Sequence, residues 1–117
     1  MRRSISTRRF EEIAADALDG LPAWVQERLD NVEVLVEDDA PAEHPPLLGL
    51  YEGVPLTHRG SGYSGVLPDR IMLFRRNLIR AAVDERHLER LVAETIVHEI
   101  AHFFGISDER LTELGWD

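Results

Sequence analysis

Cysteine and lysine are both absent from this chain of 117 residues. Without cysteine there can be no disulfide bond and no thiolate metal site, so any metal must be held by His, Asp, Glu or water. The missing thiols leave the redox compartment open. The thirteen basic residues are all arginine, and we attribute this to coding bias rather than to function.

Long apolar runs are absent as well. No stretch approaches the ~20 apolar residues of a transmembrane helix, and the arginines near the start are not followed by the apolar segment of a secretory signal. We therefore expect a cytoplasmic protein that binds no membrane. The net charge of −9 disfavours nucleic acid, whose phosphates are bound by Lys and Arg. Arg2, Arg3, Arg8 and Arg9 are interpreted as a solvated terminus rather than as an arm for an acidic partner.

The order of apolar patterns and turn residues predicts an α+β fold in a single domain over residues 1–117, with a small sheet packed on helices. The predicted elements are, in order, a helix capped by Ser6 or Thr7 and ended by Gly20, a short helix from Pro22, strands at 32–37, 47–51 and 71–74, a short helix capped by Asn77 and reaching Val83, a long helix over 85–104 capped by Asp84, and a last helix from Ser107 to Gly115. Residues 53–68, rich in Gly, Pro and Ser, are predicted to be irregular and to form the lip of a cleft.

The long helix has two contrasting faces. At about 100° per residue, one continuous apolar arc predicts that this helix is central to the core. The arc consists of Val92, Ala93, Ile96, Val97, Ile100, Phe103 and Phe104. His98 and His102 lie on the other side, about 40° apart, with Glu99 at the margin between the two faces.

His98 and His102 are four residues apart, so both rings can reach one ion. Glu99 follows the first histidine and can take the proton of a water molecule on that ion. This spacing, HExxH, is the pattern of zinc-dependent peptidases. Catalytic zinc needs a third protein ligand. Gly105 can turn the chain so that Asp108 becomes that ligand, with Glu109 and Glu113 as rivals.

Other chemically capable residues are given lesser weight. Tyr63, His58 and Arg59 could stabilise an oxyanion, but we interpret each as an ordinary loop residue. His87 is expected to face solvent, and His44 has no evident partner. Phe10 and Trp24 are expected in the core, while Trp116 is expected to cover the core edge or contact a partner.

Residues 98–108, with the pattern HExxHxxGxxD, resemble the motif of zincin-like metallopeptidases. Further segments resemble the small bacterial "possible zinc metallopeptidase" family of minimal zincins; these segments are LGLYEGVPL at 48–56, LPDRI at 67–71 and GISDER at 105–110. The resemblance covers residues 47–115 well and the N-terminal helices loosely. It implies a compact zincin-like fold with a small mixed sheet of about three to four strands, and a central long helix that carries the motif at a helix–sheet cleft.

By motif position, the resemblance implies that His98, His102 and Asp108 are ligands of Zn²⁺ and that Glu99 is the general base in hydrolysis of a peptide or protein substrate. The chain departs from the metzincins in two respects. Asp108 stands where they have a third histidine, and the only methionines, Met1 and Met72, precede the motif. A weak or narrow peptidase, or one that needs a partner, is therefore plausible.

Two other functions compete with peptide hydrolysis. The first is an inactive module that keeps the fold and binds a protein. The second is a metal-dependent hydrolase of another bond, such as an RNA phosphodiester, which the glutamate after the first histidine and the charge of −9 disfavour.

Overall fold

The structure, a computed structural model, describes residues 5–42, 46–63 and 67–114. Within these residues the elements are α1 (Thr7–Asp19), α2 (Ala23–Arg28), β1 (Val32–Glu37), β2 (Gly49–Glu52), a 3-10 turn (Leu56–His58), β3 (Asp69–Phe74), α3 (Arg75–Ala81), α4 (Glu85–Phe103) and α5 (Asp108–Leu114). This is the α+β architecture that the sequence predicts.

Side-chain caps fix the starts of two helices. The Ser6 hydroxyl accepts a hydrogen bond from the backbone N–H of Arg9 at 3.0 Å and begins α1. The Asp84 carboxylate accepts one from the N–H of His87 at 2.7 Å and begins α4. Each cap satisfies an N–H that has no partner inside the helix. The predicted starts of α1 and α4 are thus confirmed.

The three strands form one mixed sheet in the order β1-β3-β2. β1 runs parallel to β3, with Val34 opposite Ile71, and β2 runs antiparallel to β3, with Tyr51 also opposite Ile71. β2 therefore lies at one edge, with no further strand beside it among the described residues. A mixed sheet of this size agrees with the zincin-like expectation.

The core lies between the sheet and the helices α1 and α4. One side of α4 is buried through most of its length and packs on apolar residues of α1 and β3. The largest fully buried side chains are Phe10, Phe74, Phe103, Ile71, Leu73, Leu78, Leu88, Ile96, Leu111 and Val92. Each stabilises the fold by about 1.5–3 kcal/mol when it leaves water. The prediction that the long helix is central to the core is confirmed.

The start of α3 differs from the prediction. The helix begins at Arg75, directly after β3, and not at a cap on Asn77. Asn77 lies inside the helix, and its side-chain amide donates instead to the carbonyl of Leu47 at 2.9 Å. Asn77, which the sequence predicts as a helix cap, thus anchors the segment before β2 through this hydrogen bond.

Two apolar residues expected inside are exposed. Val97 is 46% exposed because the buried side of α4 is turned toward Thr95 and Glu99, where β2 packs. Trp24 is 57% exposed; its ring stacks on Phe104 with the ring centres 6.2 Å apart and does not enter the core. Phe10, in contrast, is fully buried as expected.

Candidate metal centre

α4 presents His98 and His102 side by side, one helical turn apart. The ring centres are 4.9 Å apart, and the two side chains are 31% and 25% exposed. Both rings are thus accessible from solvent while the opposite side of the helix is held in the core. This is the placement that the two faces of the helix predict.

The turn between α4 and α5 brings Asp108 to the two rings. Gly105 has a φ of +88°, in the left-handed region that favours glycine. A Cβ atom here would lie 2.3 Å from the Oγ1 of Thr57, so a side chain is excluded by space as well as by conformation. The chain reverses at this glycine, and Asp108 begins α5 beside the histidines.

The Oδ1 atom of Asp108 lies 3.4 Å from Nε2 of His98 and 2.7 Å from Nε2 of His102. In a tetrahedral zinc site with bonds of about 2.0–2.1 Å, neighbouring ligand atoms are about 3.3 Å apart. The first distance already fits this value. The second fits a hydrogen bond and would open by roughly half an ångström around an ion. The three residues therefore suit zinc in both donor type and spacing.

Glu99 forms the inner wall of this group. It is only 7% exposed, and its Oε1 atom lies 3.1 Å from Nδ1 of His102. One of its carboxylate oxygens and one ring nitrogen from each of His98 and His102 lie within 4.8 Å of one another. A carboxylate so placed fixes the orientation of the His102 ring and stands beside any ion that the ring binds.

The close packing of β2 on α4 is what buries Glu99. A Cβ atom on Gly49 would lie 2.7 Å from Cγ2 of Thr95 and 3.5 Å from Cγ of Glu99. Glycine therefore lets the edge strand approach the helix at the level of the histidines. The cleft-side position of the site follows from this one residue in β2.

Hydrogen bonds in the group shift two pKa values in opposite directions. Burial lowers the pKa of the His102 imidazole, but hydrogen bonds to Asp108 and Glu99 outweigh it and leave that pKa raised. The bond to His102 lowers the pKa of the Asp108 carboxyl. A proton on Nε2 of His102 is therefore stabilised where a cation would lie, and a metal must displace it.

Among the three carboxylates of α5 that the sequence offers as a third ligand, Asp108 is the one that lies against both rings. Glu113 instead accepts a hydrogen bond from Arg110 at 3.2 Å, and Glu109 makes no contact with either histidine in the described structure. The geometry favours Asp108 over these two rivals.

The candidate residues outside the motif form interactions with other parts of the chain. The Arg59 guanidinium is buried and pairs with Asp69 at 2.9 Å, so it is not free to meet an oxyanion. The hydroxyl of Tyr63 accepts from the side chain of Asn31 at 2.6 Å. His58 lies 3.2 Å from the hydroxyl of Thr57, and Nδ1 of His87 accepts from the N–H of Val83 at 3.0 Å. His44 and Trp116 are outside the described residues.

The sequence did not point to the network around Asp69, which holds the loop beside the site. This carboxylate is 3% exposed and accepts hydrogen bonds from the hydroxyl of Tyr51, the N–H of Val54 and the guanidinium of Arg59. Burial and the bond to Asp69 raise the pKa of Tyr51, so its hydroxyl remains a donor. The sequence does hold a signal for this network. It is an aspartate at the start of a strand together with Gly53, where a Cβ atom would have no room beside Asp69.

A cleft of about 630 Å³ opens next to the histidines. One wall is the segment that leads into β2, at Leu47 and Leu48, and the other is α4 from Leu91 to Glu99. The carbonyl of Leu48 accepts from the N–H of Phe74 in β3. Because backbone groups alternate along an antiparallel strand, those of Gly49 face the open edge. The cleft therefore offers an extended chain both apolar walls and backbone partners.

Comparison with protein families finds a match between residues 29–116 and the family of zincin-like metallopeptidases. No curated protein matches the chain significantly. The matched region contains all three strands, α4 and the residues of the candidate metal centre. The chain belongs to the zincin-like metallopeptidase family. Within the described residues, none of the helices has the length and apolar character needed to cross a membrane.

Proposed function

We propose that the chain is a zinc-dependent peptidase in which His98, His102 and Asp108 hold the metal and Glu99 is the general base. The observation that carries the proposal is the approach of both Nε2 atoms to one oxygen of Asp108, at 3.4 and 2.7 Å. Family membership and the cleft beside β2 support it. Zinc, when bound, would polarise a water molecule and the carbonyl group of the substrate.

The proposed role of Glu99 rests on its position between the cleft and His102. Its carboxylate is nearly buried, and it lines the cleft as well as contacting His102. It can accept a proton from the attacking water and pass that proton to the leaving amine. Its bond to Nδ1 of His102 also favours the ring form whose Nε2 is free to bind a metal.

The edge of β2 would hold the substrate. An extended peptide laid along Gly49 can form backbone hydrogen bonds like those of a further strand. Its scissile carbonyl would then lie beside His98 and Glu99, which both line the cleft. Proximity of this kind supplies a large part of the rate enhancement in hydrolysis.

The test is cleavage of a peptide library by the zinc-loaded protein, read by mass spectrometry. Glu99→Gln keeps the size and polarity of the side chain but removes the base, so we expect zinc to be retained and cleavage to fall by about a hundredfold or more. Equal cleavage by both proteins would contradict the role of Glu99. No cleavage by the native protein across the library would contradict the peptidase function and favour an inactive binding module.

A further inference from the structure

The side chains along the cleft are mainly apolar. Leu47 and Leu48 line one wall, and Leu91 and Val97 line the other. Val97, expected in the core, instead exposes nearly half of its surface beside this space. Apolar walls on both sides of a groove of about 630 Å³ fit a large aliphatic or aromatic side chain.

The charge at the cleft has one sign. Glu94 lies on α4 four residues before His98, on the same side of the helix, and it is exposed. No described residue forms an ion pair or side-chain hydrogen bond with it. The other carboxylate, Glu99, is buried against His102. The described lining contains neither Arg nor Lys, so an occupant meets an unpaired negative charge one turn from the histidines.

From these observations, and resting on the proposed function, we infer that the cleft selects a peptide with a large apolar residue next to the scissile bond and an arginine or lysine within two residues of it. The apolar side chain would lie between Leu48 and Leu91, and the basic one would reach Glu94. The overall charge of −9 adds a long-range attraction for a cationic peptide. Glu94 is thus assigned as a specificity-determining residue of the cleft.

Binding to the zinc-loaded Glu99→Gln protein tests this without turnover. The probes are fluorescent octapeptides that share one leucine and differ only at a neighbouring position, which is arginine, its neutral analogue citrulline, or glutamate. We expect affinity to fall in that order by about three- to tenfold per step, because the pair with Glu94 is partly solvated. Replacing the leucine by alanine should weaken binding by about tenfold.

Reversing the charge at Glu94 is the decisive comparison in this experiment. Glu94→Arg, added to Glu99→Gln, should invert the ranking, so that the glutamate peptide binds best. Glu33→Arg is the matched control, because Glu33 is exposed on β1 outside the cleft and the change in net charge is the same. That control should leave the ranking unchanged.

The possible results separate the two proposals. A ranking that Glu94→Arg does not alter, or that Glu33→Arg alters equally, overturns the inference, as does the absence of binding by any probe. A ranked binding that Glu94→Arg inverts, combined with no cleavage by the native protein, supports Glu94 as a specificity-determining residue of the cleft and contradicts the peptidase function. Cleavage by the native protein at a rate that does not depend on the neighbouring charge supports the peptidase function and contradicts the inference about Glu94.

Discussion

Two charged clusters contact the C-terminal half of α4, and they differ in how completely their groups are satisfied. Around Asp69, carboxylate and guanidinium are 3% and 7% exposed, and the Arg59 guanidinium also stacks 5.0 Å from the ring centre of Phe103. Around His102, the facing carboxylate of Asp108 is 77% exposed. The first cluster has hydrogen-bond partners on every side, whereas the second leaves room for an ion.

This difference in burial is what a structural role for the Asp69 cluster and the proposed binding role for the histidine cluster would each require. Buried charges persist only when they are paired and hydrogen-bonded, so the Asp69 cluster fixes the loop over 53–63 against the sheet. The histidine cluster costs the fold little because solvent reaches it, and its donor atoms converge. Among the described residues, the buried ion pair of Arg59 and Asp69 therefore supports the loop, and the open histidine cluster is the candidate metal site.

The same substitution placed in each cluster should give the largest contrast. Asp69→Asn leaves the buried Arg59 guanidinium with only the exposed carboxylate of Asp30, 3.7 Å away, as counter-charge. We expect the metal-free protein to lose about 3–5 kcal/mol in the free energy of unfolding. Asp108→Asn should cost less than about 1 kcal/mol, because that carboxylate is mostly in water. Urea unfolding followed by circular dichroism measures both.

For zinc affinity, the order of these two variants should be the opposite of their order in stability. Asp108→Asn should lose most of its affinity for zinc, while a folded Asp69→Asn protein at low temperature should keep most of it. Equal loss of stability in the two variants would show that the Asp69 cluster is not the structural one.

Gly105→Ala should produce an intermediate effect at the point where the loop and the metal centre meet. The new Cβ would meet Thr57 at 2.3 Å and force a left-handed backbone on alanine. We expect a loss of about 1–3 kcal/mol in unfolding free energy, together with weaker zinc binding, because Asp108 follows this turn. Gly62→Ala is the control, since no atom lies within 4 Å of the position of its Cβ. If both substitutions had the same effect on zinc affinity, the turn would not position the third ligand.

The smallest effect concerns the pH dependence of the metal-free protein. The pKa of His102 is raised in the fold, so its contribution is present below the unfolded value of about 6.5 and lost as pH rises through the folded value. The pKa of Asp108 is lowered, so its contribution is present above about 3.9 and lost as pH falls through the folded value. The interaction between His102 and Asp108 should stabilise the metal-free fold most between these two pH limits, by less than about 1 kcal/mol.

Asp108→Asn should flatten this pH profile, and unfolding midpoints measured from pH 3 to 9 test it. Zinc should show the opposite trend to the proton, with affinity rising as pH increases through the pKa of His102. A profile that is unchanged in the variant would contradict the pairing of His102 with Asp108.

Much of the fold follows from local signals in the sequence. The ends of α4 follow from the cap at Asp84 and from the apolar periodicity, and α1 follows from Ser6. The juxtaposition of His98 and His102 needs only helix geometry. These features depend on residues within a few positions of one another, which is why a sequence alone can predict them.

What could not be predicted depends on contacts between distant segments. Val97 is exposed because β2 packs on the Thr95 side of α4, through Gly49. The Asn77 side chain donates a hydrogen bond to a carbonyl thirty positions away and does not cap α3. The Asp69 network joins residues from β2, a loop and β3. No local pattern carries such information, although the glycines mark the places where segments meet.

The most direct test of the account is the zinc content of the purified protein after metal removal and titration. We predict one zinc per chain in the native protein and in Glu99→Gln, and none retained after dialysis in His98→Ala or His102→Ala. These variants should remain folded by circular dichroism, because both rings lie outside the core. A folded native protein that binds no zinc, or a His102→Ala protein that retains it, would contradict the central claim.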